Sequence, residues 1–122
     1  MLPELTVLLA PNVNSFKRFV PDRFAPTSVA WGFENRTVGI RAITGAPASQ
    51  RLECRLPGAD ANPYLSIAAT LIAGLYGIEH QIEPGPETEG NAYLQKIPAK
   101  LRLPASYAEA IERFNRSKIA RE

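Results

Sequence analysis

The segment at residues 51–56 alternates charged and apolar side chains, and it reads Arg-Leu-Glu-Cys-Arg-Leu. Successive side chains of a β-strand point to opposite faces, so Arg51, Glu53 and Arg55 would share one face of a strand. Neighbours on that face would lie about 7 Å apart, given a rise of about 3.3 Å per residue. One guanidinium group can donate two parallel hydrogen bonds to two oxygens of a phosphate or carboxylate, so the face suits a multiply charged anion. The lone carboxylate fits the same function if the anion carries a metal ion that Glu53 binds.

The preceding segment, residues 36–41, shows the same alternation and begins with Arg36. Val38 and Ile40 would face one side of a strand and Arg41 the other. The ordinary alternative for both segments is a half-exposed strand whose charged residues are simply solvated. Arginine rather than lysine at each position favours anion recognition, because a merely soluble surface has no need of guanidinium forks. The pattern alone leaves both interpretations open.

These segments are the second and third of three predicted strands, over residues 28–33, 37–42 and 51–56. A long helix follows, with Asn62 as its N-cap and Pro63 at its first position. Residues 64–78 carry no charge and are apolar around most of the helix, which predicts a core helix buried on nearly every side. That stretch is shorter than the roughly 20 residues needed to span a bilayer, so we expect no membrane partner.

A second helix is predicted from about Tyr107. Ser106 and Glu109 form a capping box at its start, and the apolar residues that follow lie in one stripe. We therefore expect an amphipathic helix that packs by one face. The predicted core helix is large and apolar, and few strands are available to cover it. We therefore expect that residues 1–122 are a single partial domain whose core is completed by other parts of a larger protein.

Composition limits the functional classes. The 122 residues include 14 lysines and arginines and 12 acidic residues, a net charge of +2. This small excess, with few aromatic residues among the basic ones, predicts no nucleic-acid binding. The one cysteine, Cys54, has no intrachain partner and falls on the predicted apolar face. With no visible signal peptide, it predicts a buried thiol in a reducing, cytoplasmic setting.

Residues 14–21, Asn-Ser-Phe-Lys-Arg-Phe-Val-Pro, resemble the Asn-Ser-Tyr-Lys-Arg-Leu-Val-Pro signature of the glutamine synthetase family. Asn35-Arg36, Arg41, residues 51–55 and Asn-Pro-Tyr-Leu at 62–65 follow in that family's order. The resemblance runs from about residue 5 to about residue 117, and it covers only the C-terminal part of the family's catalytic domain. Residues 19–27 and 56–63 look most like the γ-glutamyl-polyamine synthetases.

The resemblance implies an α+β fold, a fragment of the glutamine synthetase catalytic domain with a few antiparallel strands packed on a long buried helix, plus a C-terminal amphipathic helix. It implies an ATP-dependent ligase that joins glutamate to ammonia or a larger amine through γ-glutamyl phosphate. Mg²⁺ or Mn²⁺ would be required, and the full-length protein would be a homo-oligomer. The implied site residues are Arg36 for catalysis, Arg36, Arg41 and Arg51 for ATP phosphates, Arg18 and Arg55 for glutamate, and Glu53 for a metal ion.

One departure from the family bears on the amine. Ammonia-using members have a glutamate at the position of Phe24, the third residue after Pro21, and it is thought to help deprotonate bound ammonium. Phenylalanine cannot act as a base, so a bulkier or more apolar amine becomes the better candidate. The alternative is that Phe24 simply packs its loop.

A second departure concerns the metal. The family's other metal ligands would lie before Met1, and Glu53 alone cannot hold two ions. We therefore expect the isolated chain to be an inactive fragment of the ligase. The alternative is an anion-binding or subunit-interaction module that derives from the family and has no catalysis.

Overall fold

The structure is a computed structural model that describes residues 1–121. Within those residues the chain forms three α-helices and three short strands, joined by loops and five 3-10 turns. The helices are α1 (Thr6–Leu9), α2 (Pro63–Glu79) and α3 (Tyr107–Arg116), and the strands are β1 (Trp31–Phe33), β2 (Ile40–Ile43) and β3 (Arg51–Cys54). The α+β class is confirmed. β1 and β3 lie within their predicted ranges with narrower bounds, whereas β2 begins three residues later than predicted and ends one residue later, at Ile43.

The three strands form one sheet in the order β1-β2-β3. β2 and β3 are antiparallel, and Arg41 lies opposite Glu53. β1 and β2 are parallel, with Trp31 opposite Ile40, so the prediction of antiparallel strands throughout is wrong for this pair. The reason lies in residues 34–39. Glu34 adopts a left-handed backbone conformation, with φ of 49°, and its N–H donates to the carbonyl of Ala42. The chain therefore loops back along β1 and does not form a hairpin.

The free edge of β1 is covered by the loop at residues 83–90. The Thr88 N–H donates to the Trp31 carbonyl at 2.8 Å, and the Phe33 N–H donates to Oε1 of Glu87 at 2.9 Å. Asn35 ties the same loop down, because its Nδ2 donates to the carbonyls of Thr88 and Gly90. An uncovered strand edge would offer unpaired backbone groups to other chains. The loop thus completes the sheet and fixes the turn that begins at residue 34.

Helix α2 begins as predicted, since Oδ1 of Asn62 accepts hydrogen bonds from the Tyr64 and Leu65 N–H groups. Its predicted burial is wrong. Only Ser66 and Ala69 are buried along the helix. The exposed large apolar residues of α2 are Tyr64, Leu65, Ile67, Leu71, Ile72, Leu75 and Ile78. Residues 1–121 cover the helix only on the side of α1 and the adjacent core, and they bring too little apolar surface to wrap the rest.

The main core lies where α1, the end of the β3 segment and α2 meet. Its buried members are Leu5, Leu9, Leu56, Ala69 and Leu103, and half-buried Cys54 packs against them. The predicted apolar face of β3 is therefore only partly correct. Leu56 is fully buried, whereas Leu52 is 74% exposed because no element within residues 1–121 covers that end of the sheet.

Helix α3 begins at the predicted cap. The Ser106 side chain accepts from the Glu109 N–H at 3.2 Å, while the Glu109 carboxylate accepts from the Ala105 N–H, one residue before the expected donor. Ala110 is fully buried and the opposite side of the helix is exposed, which confirms the amphipathic helix. Within the described residues, no helix is both long and apolar enough to cross a membrane.

The burial pattern predicts opposite outcomes for two apolar residues. Leu9→Ala removes a fully buried side chain and should lower the free energy of unfolding by about 2–5 kcal/mol. Ile67→Gln replaces an exposed residue of α2 and should change it by no more than about 0.5 kcal/mol. Urea unfolding at two protein concentrations measures both. A concentration-dependent loss for Ile67→Gln as large as that for Leu9→Ala would contradict an exposed α2.

Candidate active site

The register between β2 and β3 brings opposite charges together on one face of the sheet. Nη1 of Arg41 lies 3.5 Å from Oε2 of Glu53, and Nη1 of Arg55 lies 3.1 Å from the same oxygen. Both guanidinium groups are largely enclosed, with side chains 16% and 15% exposed, while Glu53 is 40% exposed. The structure thus brings together three of the predicted site residues, with the carboxylate between two arginines.

Glu34 is a fourth member that the sequence did not single out. Its Oε2 accepts a hydrogen bond from Nη2 of Arg41, and its Oε1 accepts from the Thr44 N–H at 3.0 Å. The charges alternate in the order Glu34, Arg41, Glu53, Arg55, and we call these four residues the ion-pair row. The alternation of side chains along β2 and β3 does not predict that Glu34 joins the row, because Glu34 lies outside both strands. Its place depends on the parallel pairing of β1 with β2.

The row sets the ionisation of its own carboxylates. The hydrogen bond from Arg41 holds the pKa of Glu34 below its ordinary value, and the same bond raises the pKa of Arg41. Partial burial raises the pKa of Glu53, but the hydrogen bonds and charges of Arg55 and Arg41 outweigh it, and the pKa ends below its ordinary value. Two positive and two negative charges therefore balance at neutral pH.

Arg55 also fixes the loop that contains Phe24. Its Nη2 donates to the Phe24 carbonyl at 2.8 Å, and the hydroxyl of Tyr93 donates to the carbonyl of Ala25 at 2.9 Å. The Phe24 backbone is left-handed, with φ of 51°, and its ring is 70% exposed. The ring therefore does not pack the loop within residues 1–121, while its main chain is bonded directly to a site arginine.

Arg18 reaches the site through the backbone. Its Nη2 donates to the carbonyls of Arg55, Leu56 and Pro57 at 2.9, 2.8 and 2.7 Å. Burial lowers the pKa of Arg18, and the charge of Asp60 opposes this. Nη1 of Arg18 is buried and has no hydrogen-bond partner among the described residues. Nη2 of Arg18 thus binds the backbone just after β3, while its Nη1 has no partner among the described residues.

Two predicted phosphate ligands lie outside the row. Arg51 is exposed at the start of β3, and its Nη1 donates to the Ser49 carbonyl in the preceding turn at 2.8 Å. Arg36 is exposed in the turn between β1 and β2, which Asn35 fixes by accepting hydrogen bonds from the N–H and hydroxyl of Thr37. Within residues 1–121, no hydrogen bond or ion pair joins Arg36 or Arg51 to the row.

The donor set fits one ligand of a divalent cation and no more. Among residues 1–121, no group of three or more histidine, cysteine, aspartate or glutamate side chains could hold a metal ion. Both arginines donate to Oε2 of Glu53, and no hydrogen bond from the described residues reaches Oε1. That oxygen could join a hard cation whose other ligands come from elsewhere.

Comparison with known proteins identifies the matching family. The model of the glutamine synthetase catalytic domain matches residues 1–122. Glutamate–isopropylamine ligase of Pseudomonas sp is 48% identical over 97% of this chain and 26% of that protein. γ-Glutamylethanolamide synthetase of Streptomyces coelicolor is 45% identical over 98% of this chain and 25% of that protein. γ-Glutamylputrescine synthetase of Escherichia coli is 42% identical over 92% of this chain and 24% of that protein.

Two solved structures of the protein GmaS resemble this chain in fold. The GmaS/ADP complex aligns with a TM-score of 0.79 and 34% identity, over 97% of this chain and 28% of that one. Ligand-free GmaS aligns with a TM-score of 0.78 and 36% identity. The chain therefore spans about a quarter of the length of the relatives it matches. The predicted fold, a fragment of the glutamine synthetase catalytic domain, is confirmed.

The ion pair at Glu34 predicts a pH effect. Arg41→Gln should raise the pKa of Glu34 towards its ordinary value, because the hydrogen bond from Arg41 is the main cause of the lowering. A lowered folded pKa stabilises the protein above the unfolded carboxyl pKa of about 4.3. That stabilisation is lost as the pH falls through the folded value. The variant should therefore lose less stability on acidification than the parent.

Carboxyl ¹³C NMR titration of both proteins measures the pKa directly. Arg113→Gln is the matched control. The pKa of Glu109 in α3 is lowered mainly by the Ala105 N–H and also by Arg113, and Arg113 does not contact Glu34. An unchanged Glu34 titration in Arg41→Gln would show that the two side chains are not paired in solution.

Proposed function

The chain belongs to the glutamine synthetase family, and from that premise we propose that it is the segment of an ATP-dependent glutamate–amine ligase that supplies phosphate-, glutamate- and metal-binding side chains. The observation that carries the proposal is the ion-pair row. Two enclosed arginines share one carboxylate on a sheet face within a chain of this family. A solvated strand face would leave its charges exposed and would not need them paired.

The proposed reaction has two steps. An oxygen of the glutamate γ-carboxylate takes the terminal phosphoryl group of ATP, and ADP leaves. The amine nitrogen then attacks the acyl carbon, phosphate leaves, and the nitrogen loses a proton. Charge accumulates on the transferred phosphoryl group, and arginines fixed beforehand stabilise it without reorganising. Bound Mg²⁺ or Mn²⁺ would neutralise phosphate charge, with Glu53 as one of its oxygen ligands.

We assign Arg41 to the phosphates because it lies in the middle of the row, between the carboxylates of Glu34 and Glu53. Arg36 and Arg51 are exposed outside the row and would reach the same anion, with Arg36 acting on the transferred phosphoryl group. Arg18 and Arg55 would hold glutamate. The unpaired Nη1 of Arg18 supports that role, since a buried N–H without an acceptor is costly and a substrate carboxylate would supply one.

For the amine, we propose a substituted amine in preference to ammonia. The names of three relatives specify isopropylamine, ethanolamide and putrescine products or substrates. The exposed ring of Phe24 sits on a backbone bonded to Arg55, so it can contact an alkyl group beside the glutamate site. A phenyl ring offers no base or counter-ion for ammonium. A homo-oligomer remains part of the proposal through the family alone.

A second candidate is an anion-binding or subunit-interaction module without catalysis. The exposed apolar face of α2 and the single candidate metal ligand within residues 1–121 favour it. Titration of the isolated chain with Mg²⁺–ATP, followed by the fluorescence of Trp31, tests whether an anion site operates in this chain. Turnover of ATP by the isolated chain would contradict both the module and our expectation that this segment is inactive alone.

Segment exchange tests the ligase function. The matching 120 residues of glutamate–isopropylamine ligase would be replaced by this chain, and ADP release measured with glutamate and isopropylamine. We expect an active chimera in which Arg41→Gln or Glu53→Gln lowers kcat about 10²-fold or more, because each removes a group that stabilises transition-state charge. Glu109→Gln, a carboxylate paired in α3, is the control and should stay near the parent. Site variants within about threefold of the parent would refute the assignment.

The amine preference has its own test in the same chimera. Phe24→Glu should shift the ratio of kcat/KM for isopropylamine over that for ammonia by about tenfold or more towards ammonia, because a carboxylate can hold and deprotonate ammonium. Phe24→Leu keeps an apolar side chain on the same left-handed backbone and should preserve the ratio. Equal ratios for Phe24→Glu and the parent would exclude Phe24 from amine selection.

A further inference from the structure

The two carboxylates that contact Arg41 hold it unequally. Glu34 accepts a hydrogen bond from Nη2, while Oε2 of Glu53 lies 3.5 Å from Nη1, beyond the usual range of about 2.7–3.2 Å for N–H···O bonds. Glu53 is also shared, since Arg55 binds the same oxygen at 3.1 Å. The firm contact of Arg41 is therefore with Glu34.

Glu34 is itself fixed by two hydrogen bonds and has an unusual backbone conformation. Its Oε1 accepts from the Thr44 N–H at 3.0 Å, its own N–H donates to the Ala42 carbonyl at 2.9 Å, and its φ is 49°. A left-handed backbone is unfavourable for a residue with a side chain, and such strain persists where the surroundings impose it. These contacts tie Glu34 to the end of β2, which carries Arg41.

The contacts of Glu34 become important if Glu53 leaves the arginines to bind a metal ion. A cation bound to Glu53 would compete with the arginines for that carboxylate, so the long Arg41–Glu53 contact would weaken. Arg41 would then lose its orientation unless another group held it. Glu34 is on the opposite nitrogen and is anchored to backbone that does not depend on Glu53.

We propose that Glu34 is the positioning residue of Arg41, and that it keeps the guanidinium oriented towards phosphate whether or not Glu53 is engaged elsewhere. The phosphate part rests on the proposed function, whereas the holding of Arg41 does not. A simpler electrostatic view predicts the opposite effect on binding, because a carboxylate near a polyanion repels it. Removing the charge would then tighten nucleotide binding.

The first readout needs no ligand. We expect the Nε–Hε order parameter of Arg41 in the 122-residue chain, from ¹⁵N relaxation, to be high in the parent and to fall below about 0.6 in Glu34→Gln and Glu34→Gly. The glycine variant separates positioning from folding, because glycine adopts positive φ without strain. An Arg41 order parameter equal to that of the parent in both variants would overturn the proposal.

The matched control is Glu109→Gln. Like Glu34, Glu109 accepts from one backbone N–H and one arginine, here Ala105 and Arg113. Its substitution should lower the order parameter of Arg113 and leave that of Arg41 unchanged. A loss of Arg41 order in Glu109→Gln would mean that the effect is general loosening of the fold, and the positioning role would be rejected.

The second readout is the affinity of the 122-residue chain and its variants for Mg²⁺–ATP, measured by calorimetry. Glu34→Gln should bind about tenfold or more weakly than the parent, despite losing a negative charge, and Glu109→Gln should bind as the parent does. Binding by Glu34→Gln that is equal or tighter would overturn the proposal. If the parent itself binds no nucleotide at millimolar concentration, the nucleotide part of the proposed function fails in this chain, and the order parameter alone decides whether Glu34 holds Arg41.

Discussion

The register between β2 and β3 puts Arg41 directly opposite Glu53, and the arrangement of the site follows from this pairing. Because side chains alternate along a strand, a slip of one residue would replace Glu53 by Leu52 or Cys54 on the charged face. Arg55 follows on the same side as Glu53 because it lies two residues further along. A single pairing thus determines which guanidinium groups share the carboxylate and which apolar residues face the core.

Contacts hold the strand pair at the end where β2 begins and β3 finishes, because Ile40 pairs with Cys54 there. Arg18 binds three successive carbonyls just after β3, where the strand leaves the sheet. Asn35 binds two carbonyls of the loop at residues 83–90 and so fixes the turn before β2. Both side chains use hydrogen bonds to backbone, which do not depend on neighbouring side chains. The site is therefore built on main-chain positions that the substrate need not organise.

The sequence was sufficient where the determinants are local. Strand alternation identified the charged face of β3, and the rules for helix caps located the starts of α2 at Asn62 and α3 at Ser106. The sequence was insufficient where a contact depends on how two strands pair with each other. Glu34 meets Arg41 only because β1 and β2 are parallel, and no periodicity reports strand direction. The exposure of α2 was missed for a related reason. An apolar helix sequence indicates that burial would be favourable, but whether the helix is buried depends on how much apolar surface the rest of the chain packs against it.

Charge balance explains how Arg41 and Arg55 can be enclosed in the protein. Desolvating a guanidinium group is costly unless a carboxylate compensates, and removing one partner of such a pair leaves an uncompensated charge. In the ion-pair row, Glu34 and Glu53 compensate Arg41 and Arg55, so the four charges of the row sum to zero. For the triphosphate that we propose as ligand, the row alone would then supply little net attraction, and exposed Arg36 and Arg51 would supply more. A cation that engaged Glu53 would free positive charge of the row for the phosphates. Under the proposed function, the row therefore suits a metal-bound anion better than a bare one, through residues that also fix the geometry of the strands.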